Sequence, residues 1–145
     1  MFLGAHLAAG LIIGKVTNNY PLAISSALLI DIDHLIPYIK HRIILKPKKL
    51  WKTVTSENDP YGNQRNYLRS FFTWIIVSSI ICFIDFHIGL IVSLGYLSNL
   101  LLDMLDSSEF YPFYPLKYKV SGPIKYLSKN EFFFTAILFL LFFLI

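Results

Sequence analysis

The chain has 145 residues, enough for one domain, and a formal net charge of +4. Apolar residues make up 55% of it and charged residues only 15%, with mean hydropathy +0.57. A typical soluble domain carries about 25% charged residues, so this composition argues against one and for an integral membrane protein. A single cysteine, Cys82, excludes an intrachain disulfide or a thiolate metal cluster, and its apolar surroundings (IICFID) read as those of a small buried hydrophobe.

Five apolar segments follow in order. The first, 2–14 (FLGAHLAAGLIIG), lacks the basic start and the small-residue cleavage site of a signal peptide. His6, Gly10 and Gly14 recur at i, i+4, so the spacing predicts a small-residue stripe that turns His6 toward a neighbouring helix. The second, about 21–39, opens with Pro21, which suits a first helical turn, and closes on DIDHLIP. The third is 70–84, the fourth about 87–105 and the fifth 132–145. The expected fold is all-α, one membrane-embedded bundle of about four or five helices over residues 1–145. Segments one, three and five fall short of the roughly 20 residues of a perpendicular span. They need flanking residues, or insert only in part.

Twelve of the thirteen lysines and arginines lie in 40–69 and 106–131. With five crossings these loops share one side with the N-terminus. The positive-inside rule makes that side cytoplasmic, in the cell membrane. Lys15 alone falls on the other side. This topology brings His6, Asp31, Asp33, His34, Arg69, Ser70, Asn99 and Asp103 from four segments to one membrane level. Asp31 and His34 are spaced i, i+3, and Asn99 and Asp103 i, i+4, so each pair shares a helix face. Ionisable groups inside a membrane protein usually face one another or a wet cavity. Asp and His without thiolate suit zinc first, then manganese or iron, and such an ion can activate water near neutral pH. Helix-end groups bonded between helices would produce the same spacing.

The motif order resembles the LexA-regulated, membrane-bound metal-dependent hydrolases, a family distantly like zinc-dependent phospholipase C and P1 nuclease. The resemblance rests on AHLAAG with His6, on DIDHLIP with Asp31, Asp33 and His34, and on GYLSNLLLDML before a YP turn. It covers residues 1 to about 120. By that resemblance His6, Asp31, Asp33, His34 and Asp103 are metal ligands, and a phosphoester, such as a lipid phosphate, is hydrolysed by metal-activated water. Asp33 would be catalytic, Asn99 would position water or substrate, and Arg65 or Arg69 would bind phosphate.

Two departures stand against this. The family's HRG-x-THS is QRNYLRSFF here, with Arg69 in the place of a histidine. Its GY-x-x-H-x-x-x-D is GYLSNLLLD, with Asn99 in the place of another. A guanidinium cannot bind a metal, and an amide oxygen binds one weakly. The alternative is a catalytically inactive pseudoenzyme, metal-free, in which Arg69 pairs with Asp31, Asp33 or Asp103 and the chain serves a structural or interaction role. His41, beside Arg42, reads as a solvated loop residue, and His87 as part of the opposite turn with Asp85. A channel using the acidic cluster as an ion path ranks last. The basic loop 40–69, with KPKKLWK and Trp51, suits anionic lipid headgroups, and no nucleic-acid module is recognisable.

Overall fold

A computed structural model describes residues 3–34, 39, 41–46, 48 and 68–145, the side chains of 32–34 excepted. Among these the chain is all-α. Helix α1 (Leu3–Thr17) turns directly into α2 (Tyr20–Leu28), which tightens into a 3₁₀ turn, Leu29–His34. After the basic loop come α3 (Phe71–Ile84), α4 (Phe86–Leu105) and α5 (Lys129–Leu144).

Local chemistry explains the turns. Asn18 adopts a left-handed conformation (φ 54°) after α1, and the Asn19 N–H reaches back to the Gly14 carbonyl at 3.1 Å. This is a Schellman closure, and asparagine is among the few residues that enter that region readily. Asn19 then starts α2, its side chain accepting from the Leu22 N–H at 3.2 Å with Pro21 in the first turn. A single residue, Asp85, joins α3 to α4. Its N–H donates to the Ile81 carbonyl, and its carboxylate accepts from the Ile88 N–H at 2.9 Å. Cys82 is half-buried there, close against Gly89.

Helices α1 and α4 sit at the centre. Helix α1 packs on α2, α4 and α5, and α4 packs on α1, α2 and α3. Small residues allow the close approaches. A Cβ on Gly10 would lie 3.0 Å from the Ile24 Cα, and one on Gly14 2.9 Å from the Tyr20 Cα. The stripe expected on α1 thus faces α2 and carries His6 into the bundle, where it is fully buried. Gly14→Val should therefore push Tyr20 away and cost about 1–3 kcal/mol, the range for overpacking. Denaturation of the detergent-solubilised variant checks this, and wild-type stability would show that the α1–α2 contact yields freely.

The core joins Ile30, Tyr96, Leu100 and Phe110, with Phe71, Trp74, Val77 and Met104 against it. Trp74 donates its indole N–H to the Ser93 carbonyl at 3.0 Å and ties α3 to α4. Lys15 ties α1 to α5, donating to the Phe142 carbonyl at 2.9 Å with its ammonium over the Phe142 ring. The last turns of these helices therefore lie together, and a cation there suits the negative ends of both. The outward faces of α3 and α5 are apolar, with Ile76, Ile80, Phe83, Phe133, Phe143 and Leu144 exposed, Phe83 to 93%. Among the described residues one helix, Phe86–Leu105, is long and apolar enough to cross a bilayer.

Candidate functional site

Four elements meet at one end of the bundle. The 3₁₀ turn supplies Asp31, and the residue two before α3 supplies Arg69. Helix α1 brings His6, and α4 presents Asn99 and Asp103 one turn apart. His6 and Asn99 are fully buried, and Asp103 is 3% exposed. The side chains of Arg69 and Asp31 are 11% and 18% exposed, so the cluster reaches the surface through them.

Arg69 spans both carboxylates. Its Nη2 lies 2.5 Å from Asp31 Oδ1 and its Nε 3.4 Å from Asp103 Oδ2. The flat guanidinium carries five donors in a fixed fork, which suits it to bridging two acids. His6 lies behind this bridge. Its Nε2 is 3.5 Å from Asp103 Oδ1 and 4.0 Å from Asp31 Oδ2, longer than a good hydrogen bond. Its Nδ1 has no hydrogen-bond partner among the described residues.

Asn99 is oriented by its surroundings. Its amide nitrogen donates to the Ala27 carbonyl at 2.8 Å and to Asp31 Oδ2 at 3.3 Å. Both neighbours only accept, so the NH₂ must face them and the oxygen must face away. That oxygen is buried and has no hydrogen-bond partner among the described residues. The face Asn99 turns to Asp31 is thus that of a donor, the opposite of a metal ligand.

The backbone holds these groups in place. The Tyr96 hydroxyl donates to the Leu68 carbonyl, fixing the chain just before Arg69 from one turn below Asn99. Ser70 caps α3, accepting from the Phe72 N–H at 3.2 Å and donating to the Tyr114 carbonyl at 3.0 Å. Neither Tyr96 nor the Ala27 carbonyl stood out in the sequence. The clue to Tyr96 is its i, i+3 spacing to Asn99 on the same helix.

The structure brings together His6, Asp31, Asn99 and Asp103 of the expected set, with Arg69 among them. The side chains of Asp33 and His34, and all of Arg65, lie outside the described residues. His41 is exposed in a turn. His87 is exposed in the first turn of α4, about 18 Å along the axis from Asn99. Among the described residues no three His, Cys, Asp or Glu side chains are grouped to hold a metal ion. Among the described residues the guanidinium lies against oxygens of both acids that a metal would need, an arrangement that does not suit a cation between them.

Compared with protein families, curated proteins and solved structures, the chain matches none.

Proposed function

We propose that this chain is an integral membrane bundle built like the metal-dependent hydrolases it resembles, with Arg69 standing in for the metal. It is then a non-catalytic member, whose Arg–carboxylate site holds the cytoplasmic ends of its helices together for a structural or interaction role in the membrane. The observation that carries this reading is the single guanidinium on two acids from different elements, Asp31 and Asp103. Removing two charges from water costs energy that only close pairing offsets, and Arg69 supplies that pairing where a cation is needed.

The membrane setting draws support from the apolar outer faces of α3 and α5 and from the distribution of basic residues. The alternation of the five helices among the described residues supports a shared side for the N-terminus and both basic loops. Helices of 14 to 16 residues measure about 21–24 Å, against a hydrocarbon core of about 30 Å. They fit a locally thinned bilayer or one in which flanking side chains snorkel.

A second reading, a phosphoester hydrolase of the same family, draws on His6 Nδ1 and Asn99 Oδ1, which lack a partner among the described residues and which a bound group could satisfy, and on Asp33 and His34 in the same turn as Asp31. Elemental analysis of detergent-purified wild type beside Asp33→Ala separates the two. We expect no zinc, manganese or iron above the background of the variant. Stoichiometric metal that disappears in Asp33→Ala would overturn the Arg69 reading and call for a phosphoesterase screen.

A further inference from the structure

Between α4 and α5 the chain folds into a pinned excursion. Phe110 and Val120 exchange backbone hydrogen bonds of 3.1 and 2.8 Å, and the Ile124 N–H donates to the Leu105 carbonyl at 3.0 Å. Phe110 and Pro112 are buried, and the Pro112 carbonyl accepts from the Phe71 N–H at 2.8 Å. Ser70 holds the Tyr114 carbonyl. The tip, 113–119, is thereby fixed beside the start of α3, one residue from Arg69.

The contents of the tip are unusual for a fixed loop. Leu116 and Tyr118 are 61% and 63% exposed, and Phe113 is exposed on one side while its ring lies between those of Phe71 and Tyr118. Apolar side chains held outward on an ordered loop lose the hydrophobic gain of burial unless something covers them. Lys117 lies in the tip itself, while Lys125, next to the pinned Ile124, and Lys129, in the first turn of α5, lie at the same end of the bundle; all three are exposed and without an ion pair among the described residues. Lys119 is taken up by Glu109 at 2.5 Å, which holds that carboxyl below its ordinary range. Lys129 lies in the first turn of α5, where the helix dipole disfavours a cation, so helix stability does not account for it.

We infer that the 113–119 tip is a membrane hook: Leu116, Tyr118 and Phe113 enter the interfacial layer while Lys117, Lys125 and Lys129 engage anionic lipid headgroups. The occupant follows from the combination. Aromatic rings favour the level between headgroup and acyl chain, and clustered lysines favour anionic lipid there. The hook sets the depth of the bundle and places the Arg69–Asp31 opening at headgroup level. This inference rests on the membrane setting proposed above, and the test separates the two.

Spin labels are placed at Leu116→Cys, Ile80→Cys on the outer face of α3, and Asp85→Cys at the opposite end, each in a Cys82→Ser background. Depth is read in vesicles from collisions with oxygen and with a water-soluble nickel chelate, in phosphatidylcholine alone or with phosphatidylglycerol. The hook predicts Ile80 in the acyl region and the 116 label at the interface, deeper with phosphatidylglycerol. It also predicts loss of that lipid dependence in Lys117→Gln/Lys125→Gln/Lys129→Gln. Tyr118→Cys gives the same reading should Leu116→Cys not fold. A lipid-embedded Ile80 label with a water-exposed tip overturns the hook and leaves the membrane setting standing. A tip at equal depth in both lipids overturns the anionic preference. Nickel-accessible labels at both 80 and 116 overturn the membrane setting and the hook together.

Discussion

Arg69→Ala should be the most destabilising single change in this chain, costing about 3–5 kcal/mol, the range for stripping one partner from a buried ion pair. Two acids lose their counter-charge at once. Asp103 is 3% exposed and cannot turn to water, whereas Asp31, at 18%, can do so in part. Its remaining neighbours, His6 at 4.0 Å and the Asn99 amide at 3.3 Å, offer weaker contacts. The measurement is denaturation in detergent followed by the fluorescence of Trp74, the fourth residue of α3, in a Trp51→Phe background. Arg69→Lys should recover only part of the loss, since one ammonium cannot reproduce a fork spanning two acids.

A control distinguishes lost charge pairing from lost packing. Arg69→Gln alone leaves two carboxylates uncompensated. Arg69→Gln with Asp31→Asn and Asp103→Asn removes the charges together, and we expect it to be more stable than Arg69→Gln. Groups sharing one network couple by about 0.5–3 kcal/mol. A strictly additive triple variant, or an Arg69→Ala protein within about 0.5 kcal/mol of wild type, would show that Arg69 does not hold the acids.

The helices were legible in the sequence because apolarity and cap chemistry agree. The segment 70–84 is α3 with Ser70 as its cap, and 87–105 is α4 less its first residue. The segment 21–39 misleads, because its apolar run continues past Leu28 while the backbone tightens at Leu29–His34. The apolar segment 132–145 misses the start of α5 at Lys129 for the opposite reason. Lys129, Asn130 and Glu131 are polar, yet Ser128 caps them and the Glu131 carboxylate accepts from the Leu127 N–H at 2.6 Å, close to a capping box. Apolarity alone cannot register such a turn.

The meeting of His6, Asp31, Asn99 and Asp103 followed from spacing within helices and alternation between them, both local properties. The direction of the Asn99 amide did not, because the Ala27 carbonyl on another helix decides it. The hook was equally hidden. Which aromatics of 106–123 face out depends on Phe110 and Val120 pairing across ten residues.

Replacing both departures, Arg69→His with Asn99→His, should create affinity for a divalent metal. The reason is electrostatic first. A divalent ion about 4 Å from a guanidinium meets repulsion of roughly 8 kcal/mol at an effective dielectric of about 20, more than one added ligand recovers. Asn99→His alone should therefore bind no metal, because Arg69 still lies against both acids. Arg69→His alone frees Asp31 and Asp103 but keeps an amide that presents N–H groups to Asp31. The double variant removes the fixed charge and adds two imidazole nitrogens beside His6. Zinc added at a hundred times its dissociation constant should then stabilise the fold by about 2.7 kcal/mol. Thermal melts with and without zinc, and metal content after gel filtration, give the reading. A double variant that takes up no metal would mean that the cluster does not derive from a metal site. An Asn99→His protein binding as tightly as the double variant would mean that Arg69 swings aside easily, and the guanidinium would lose its claim to stand where a metal once did.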